Sequence, residues 1–335
     1  MALAPETTRF PGRLPGAGVA WVAGTTGTSL IASDPPSLEG MDDKTQVRDF
    51  LVSRRGRLTP EQAGLPAFGT TRRVTGLRRE EVAMLAGVSV DYYVRLERGN
   101  LSGVSESVLE ALARALQLDE AERGHLFDLA RNANASPVTR RRAPSQRVRP
   151  VVQRILDSVD APAWVRNGRG DFLAANVLGR ALYSEVFRDP ARPANTARFT
   201  FLSPRSREFF VDWEGTADSA VSILHAEAGR NPHDKALTDL VGELATRSDD
   251  FRVRWAAHDV SYHRTGSKKL NHPVVGELEL SYECMELTAD VGLTLFVYSV
   301  EPASISAERL ALLASWALSE DEEARRTAAE AVTGA

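Results

Sequence analysis

Over residues 43–129 apolar positions recur every three or four residues, the period of helices that bury one face. Asp43 with Gln46 is a capping signature, and Val47, Phe50, Leu51 and Leu58 follow at helical spacing. Thr59-Pro-Glu-Gln62 restarts a helix, with a cap, a proline in the first turn and glutamine at the capping-box position. The next helix covers 77–86 with Val82 and Leu85 inward, and Gly87 stops it. Ser89 caps another, which buries Tyr93 and Leu96 and ends at Gly99. Residues 105–116 place Val108, Leu109, Leu112 and Leu116 on one face, and Asp119 with Glu122 caps a last helix carrying Leu126, Phe127 and Leu129. Short helices without strand signals predict an all-α domain at 41–133.

The pattern changes after residue 150. The run from Ala163 to Asn176 reads as strand, Asn-Gly turn and strand, with a helix starting near Asn176. Leu278, Leu280, Tyr282 and Cys284 alternate with Glu277, Glu279, Ser281 and Glu283, as in a half-buried strand. Residues 293–300 are apolar on both faces and read as a central strand. Between them lie three helices. One carries Phe210, Trp213, Ala217, Val221 and Leu224, the next Leu237, Leu240, Val241 and Leu244. The third starts at the Ser248 cap with Phe251, Trp255 and His258 on one face. Antiparallel strands with segregated helices predict an α+β domain at 151–318, so the chain is multidomain. Residues 134–150, rich in Pro, Ser and Arg, read as a linker. Residues 1–40 and the charged, Ala-rich 319–335 read as flexible tails.

Composition adds three constraints. With 43% hydrophobic residues among 335 the chain can bury real cores, which excludes global disorder. The one cysteine, Cys284, excludes a disulfide framework and a multi-cysteine metal site, and points to the reducing cytoplasm. Residues 14–33 carry no charge but are too rich in Gly, Thr and Ser for a membrane span. They lack the compact apolar block of a signal peptide, and Met41 opens the first well-patterned segment, as an alternative start would. The net charge of −4 argues against a polycation, but it is unevenly spread. Residues 41–150 hold 19 basic and 14 acidic side chains, and residues 151–335 hold 20 and 28. A basic front half and an acidic back half fit two modules with different partners. Apart from Lys44, Lys235, Lys268 and Lys269 every basic residue is arginine, a bias that codon usage alone can produce.

The most informative stretch is Leu77-Arg-Arg-Glu-Glu-Val-Ala83-Met-Leu-Ala-Gly87-Val-Ser-Val-Asp-Tyr-Tyr-Val-Arg-Leu96-Glu-Arg-Gly99. A helix-turn-helix needs a small residue where its helices cross, supplied by Ala83, and a residue tolerant of left-handed backbone at the turn, supplied by Gly87. Val82, Ala86, Val88, Tyr93 and Leu96 fall where the two helices fix their angle. The second helix then enters the major groove with Ser89, Val90, Asp91, Tyr92 and Arg95 projecting. Arg95 is placed for the O6 and N7 of a guanine, and Arg72, Arg73, Arg78 and Arg79 for phosphates. The bland alternative is a helical hairpin in another all-α domain with solvated arginines. One such motif reads one half-site, so a homodimer on double-stranded DNA is expected.

Several strings in this stretch resemble the MmyB-like regulators, a family with a phage-repressor-type helix-turn-helix. They are Arg54-Arg-Gly-Arg-Leu-Thr-Pro60, Gly64-Leu-Pro66, Gly76-Leu-Arg-Arg-Glu-Glu-Val-Ala83, Leu85-Ala-Gly-Val-Ser-Val-Asp-Tyr-Tyr93, Leu96-Glu-Arg-Gly99 and Val108-Leu-Glu-Ala-Leu-Ala-Arg-Ala-Leu116. In the back half Asp212-Trp, Gly229-Arg-Asn-Pro, Leu240-Val-Gly-Glu-Leu244, Trp255-Ala-Ala-His-Asp-Val260, His272-Pro-Val-Val-Gly-Glu-Leu-Glu-Leu280 and Leu312-Leu-Ala-Ser-Trp316 carry the likeness on. Two departures occur: Thr71-Arg-Arg-Val-Thr-Gly76 stands where the family has Arg-Arg-Arg-Thr-Pro-Gly, and Val104-Ser105 replaces Pro-Ser. The resemblance implies a transcription regulator with an N-terminal DNA-binding domain and a C-terminal ligand-binding domain of PAS-like fold. It also implies a long-chain apolar ligand such as a fatty acid. In PAS-type sensors an opening hairpin like that at 163–176 leads to an Asn at the start of the next helix, where this chain has Asn176.

Such a ligand needs an apolar tunnel and one or two polar anchors. The candidate walls are Phe201, Trp213, Trp255, Tyr282, Phe296 and Tyr298, and the candidate anchors Arg198, Arg254, His258 and His272; ordinary core and surface roles compete for each. The spacings of His258, His263 and His272 place no two on one helical turn, so no metal and no cofactor is expected. No nucleophile elbow, phosphate-cradling loop or dinucleotide motif occurs. The competing class is an acyl-binding or acyl-processing enzyme with a helical docking module.

Overall fold

The computed structural model describes residues 43–66, 76–134, 147–257 and 265–333. The expected tail at 1–40, Arg72 and Arg73, linker residues 135–146 and His258 lie outside them. Among the described residues five helices form the front half: α1 (Asp43–Arg57), α2 (Arg79–Ala86), α3 (Val90–Glu97), α4 (Glu106–Ala115) and α5 (Glu120–Asn134). Their apolar stripes meet in one core of Val47, Phe50, Leu51, Val82, Ala83, Tyr93, Leu96, Leu109, Leu112, Leu126 and Leu129. Fully burying one such side chain contributes about 1.5–3 kcal/mol. Arg54, itself buried, clasps α1 to α5 through Glu122 at 3.1 Å. At 59–62 the capping pair forms, Thr59 N to Gln62 Oε1 at 2.9 Å and Gln62 N to Thr59 Oγ1 at 3.3 Å, yet it starts only a turn. Gly64 takes left-handed backbone (φ 73°) and Pro66 follows, so no room for a helix remains.

The back half is built on a five-stranded antiparallel sheet: β1 (Ala163–Asn167), β2 (Phe172–Ala175), β3 (Thr265–His272), β4 (Gly276–Glu286) and β5 (Leu293–Ser299), in the order β2-β1-β5-β4-β3. The apolar strand at 293–299 is central, as its two apolar faces predict. Helix α6 (Pro150–Asp157) covers one face through Val152 and Leu156 against Val165 and Leu293. The connection from β2 to β3 supplies α7 (Val177–Leu182), α8 (Ser184–Phe187), α9 (Thr196–Leu202), α10 (Ser206–Phe209), α11 (Trp213–Arg230), α12 (Lys235–Arg247) and α13 (Asp249–Ala256). Asn176 ties hairpin to helix. Its Oδ1 accepts from Gly179 N at 2.7 Å, capping α7, and from Ala163 N at 3.1 Å, while its Nδ2 donates to Ala161 O at 2.7 Å. On the face opposite α6, Trp164 stacks among Phe172, Tyr183, Phe296 and Tyr298, with ring centroids 4.6–5.8 Å apart. Such pairs add about 0.5–1.5 kcal/mol each beyond burial. Helix α14 (Ile305–Thr333) packs Leu310, Leu313 and Ala317 into that core and continues through the segment read as a tail from residue 319.

Candidate DNA-reading helix and ligand cavity

Helices α2 and α3 form the expected helix-turn-helix. Ala83 is buried where they cross, Gly87 adopts φ 66°, and Val88 N closes the turn on Ala83 O at 2.9 Å. The turn is locked from behind by Glu97, whose side chain is 2% exposed. Arg55 Nε on α1 donates to Glu97 Oε1 at 2.7 Å, and Arg79 on α2 pairs with Oε2. Arg55 also reaches Leu77 O at 2.9 Å, so one guanidinium joins α1, the entry to α2 and the end of α3. On the outer side Val90, Asp91 and Arg95 are exposed and Tyr92 half-exposed. The Arg95 guanidinium lies 6.0 Å from the Tyr92 ring and makes no ion pair with a described residue, which leaves its donors available to a base edge. Ser89 Oγ accepts from Tyr92 N at 3.2 Å and so caps α3. Arg78 sits at the N-cap of α2, its backbone N held by Glu81 at 2.6 Å and its guanidinium exposed 3.4 Å from Glu80. Arg98, exposed at the end of α3, also lacks an ion pair among the described residues.

A cavity of about 430 Å³ opens between the sheet and α9–α11. One wall is aromatic, from Trp164, Tyr183, Tyr282, Phe296 and Tyr298, and Thr216, Ser219, Ala220 and Ile223 of α11 close it opposite. Four cationic residues line it together with Asp212: Arg166 on β1, Arg169 in the β1–β2 turn, and Lys268 and Lys269 on β3, of which Lys269 pairs with Glu279 at 3.2 Å. The Arg166 guanidinium lies 4.1 Å from the Phe296 ring centre and the Lys268 ammonium 4.7 Å from that of Phe210. Neither Arg166 nor Lys268 makes an ion pair or hydrogen bond with a described residue; by contrast Arg169, at the cavity edge, is held by Asp171 and by Asp234 at 2.6 Å. Burial pushes the Lys268 ammonium down to about 8, the Arg166 charge adding to it and Asp212 opposing it. The Tyr183 and Tyr298 hydroxyls bond to each other at 2.9 Å, and burial raises both above the usual phenol range. Past Phe296 and Arg166 a second cavity, about 480 Å³, runs beneath Ile223, Ala226 and Arg230 of α11 and beside Cys284 and Leu293. Burial pushes the Cys284 thiol up to about 12, so it is protonated at neutral pH.

Comparison with protein families matches residues 53–126 to a helix-turn-helix domain and residues 148–313 to the MmyB-like transcription regulator ligand binding domain. The chain belongs to the MmyB-like regulators. The two matches make the chain a DNA-binding transcription regulator with a ligand-binding domain. Comparison with curated proteins gave no match. Among the described residues no helix is long and apolar enough to cross a membrane, and no cluster of His, Cys, Asp and Glu is placed to hold a metal ion.

In this regulator the ten ligand-site candidates fall into separate places. Tyr282, Phe296 and Tyr298 line the cavity. Phe201 packs edge-on against Trp213 and Phe251, and Trp213 Nε1 donates to Thr200 O at 3.2 Å and Ser206 Oγ at 3.1 Å. Trp255 stacks on His225 at 3.7 Å. Arg198 forks onto Glu243 at 2.8 and 2.9 Å, holding that carboxyl below its usual range. Arg254 is shared among Glu214, Asp218 and Asp250. His272 is buried, with Nε2 bonded to Ala181 O at 3.0 Å and Nδ1 accepting from Val274 N at 3.2 Å, so the ring is neutral and burial lowers its pKa. His258 lies outside the described residues. The pair of cavity cations without an ion pair to a described residue, Arg166 and Lys268, is absent from the sequence expectation. Its signal was an arginine interrupting the apolar strand Ala163-Trp-Val-Arg166 on the same face as Trp164.

Proposed function

We propose that this regulator is a cytoplasmic homodimer that reads a two-fold operator with α3 and adjusts its affinity when a fatty acid binds between the sheet and α9–α11 of a PAS-like domain. The observation that carries the ligand class is the unneutralised pair Arg166 and Lys268 in a cavity with one aromatic wall. Charges withdrawn from water are normally paired; Arg166 and Lys268, both half-buried, face an empty volume without an ion pair to a described residue, which favours a ligand that brings an anionic group, and the rings favour an apolar body. A cavity of about 430 Å³ is within the usual range for a small-molecule site. The strand order β2-β1-β5-β4-β3 with helices inserted between β2 and β3 favours the PAS-like description. The dimer rests on groove geometry: two half-sites about 34–36 Å apart are the usual target of one reading helix per subunit.

On the DNA side the base-reading role rests on Arg95, and Arg78 and Arg98 flank it as phosphate contacts, with Arg72 and Arg73 as further proposed contacts. Ser89, Val90, Asp91 and Tyr92 complete the groove-facing turn. Arg79 is proposed to meet phosphate with the donors that Glu97 leaves free. Selection from random duplexes tests this reading. The full chain enriches one inverted repeat, and Arg95→Ala binds it with a penalty of about 1–3 kcal/mol while losing preference at one base pair of each half-site. Retention of the full preference by Arg95→Ala, or no enrichment by the unaltered chain, would sink it.

A further inference from the structure

Helix α11 packs against both halves of the chain. Over its first three turns Gly215, Thr216, Ser219, Ala220 and Ile223 face the first cavity, and Ile223, Ala226 and Arg230 face the second. Its last turns face the DNA-binding domain. Ala226, 3% exposed, is part of the same buried cluster as Phe50, Leu126 and Ala130. Gly229 meets the ring of His125 on α5 so closely that a Cβ there would stand 2.3 Å from Cε1. His125 in turn packs edge-on against Phe50 of α1 at 5.0 Å. Asn132 on α5 donates to Gly229 O, at the last turn of α11. A close-packed contact of this kind transmits a displacement rather than absorbing it, since neither ring nor backbone has space to yield.

We propose that α11 is a chain-length-sensitive relay. A ligand confined to the first cavity leaves the last turns of α11 in place, whereas an apolar chain long enough to pass Phe296 enters the second cavity beneath Ala226 and Arg230. It lifts those turns against α5, and the contact at Gly229, His125 and Asn132 passes the shift to the DNA-binding domain. The effector is therefore a long-chain carboxylate, and a short one is bound without being sensed. This rests on the reading of the cavities as the ligand site.

Amide exchange on the full-length protein tests the relay with and without ligand. In the ligand-free arm, Ile223→Trp fills the junction of the two cavities and changes exchange in residues 125–134 by about fivefold or more, the lower end of ordinary allosteric coupling. Adding Asn132→Ala to it confines the change to α11. In the ligand arm, palmitate and octanoate both slow exchange at 164–169 and 266–269, but palmitate alone changes 125–134. The relay is overturned if Ile223→Trp alters α11 and leaves α5 as it was, or if octanoate moves α5 as much as palmitate does. Absence of protection by either acid, with Ile223→Trp still acting on α5, would overturn the fatty-acid reading and support the relay. The same absence together with a silent α5 would overturn both.

Discussion

Replacing Arg166 and Lys268 together by Met weakens palmitate binding by about two to four orders of magnitude, since a charge-assisted contact contributes about 1.5–3 kcal/mol and two are lost. Isothermal calorimetry on the full chain measures it, and 1-hexadecanol should bind the double variant as weakly as it binds the unaltered protein. The pH dependence has a definite sign. With its pKa depressed to about 8, Lys268 is charged below that pH and neutral above it. Affinity for the carboxylate therefore falls as pH rises through about 8, and Lys268→Met removes this dependence. The empty protein responds oppositely. A lysine whose folded pKa lies below its unfolded value penalises folding in full below pH 8, and the penalty fades as pH rises from about 8 to the unfolded value of 10.5. Lys268→Met should thus raise the melting temperature of the ligand-free protein at pH 7 while abolishing the pH effect on binding. An unchanged palmitate affinity in the double variant would show that the two cations serve some other purpose.

The second large effect is expected at Glu97, a residue that touches neither partner. Glu97→Ala leaves Arg55, 16% exposed, without its carboxylate, and unties α1 and α2 from the end of α3. Removing one member of a buried pair costs about 3–5 kcal/mol, and the solvent exposure of Arg79 places this case at about 3. Native-state exchange over residues 77–101 should accelerate accordingly, and operator affinity should drop as the reading helix loses its orientation. Glu97→Gln keeps one acceptor for Arg55 and should cost less. Exchange within about threefold of the unaltered protein in Glu97→Ala, corresponding to about 0.6 kcal/mol, would mean that the clasp is incidental.

The helix-turn-helix was legible because its constraints are local: a small residue, a left-handed turn and apolar positions at fixed offsets lie within 23 residues of one string. The central strand at 293–299 was legible for a similar reason, as burial on both faces places apolar residues at both odd and even positions. The ligand anchors were not. Arg198, Arg254 and His272 sit in sequence contexts as plausible as that of Arg166, and what separates them is a partner distant in sequence. Glu243 takes Arg198, three carboxylates take Arg254, and a backbone carbonyl of α7 takes His272. Lys268 was hidden for another reason. Strand β3, Thr-Gly-Ser-Lys-Lys-Leu-Asn-His, has one apolar residue, because it is an edge strand with little to bury, so nothing in its pattern announces a strand or a face. The turn at 59–64 shows the converse, a correct local cap overruled by a glycine and a proline.

The central claim is that a ligand held in the back half changes how the front half holds DNA. The direct measurement is the dissociation constant for the selected operator at fixed salt, with and without saturating palmitate, on the unaltered chain and on the Arg166, Lys268 double variant. A shift of about five- to 150-fold in the unaltered protein, absent from the double variant, is the predicted result. An operator affinity that is the same with and without bound palmitate would contradict it.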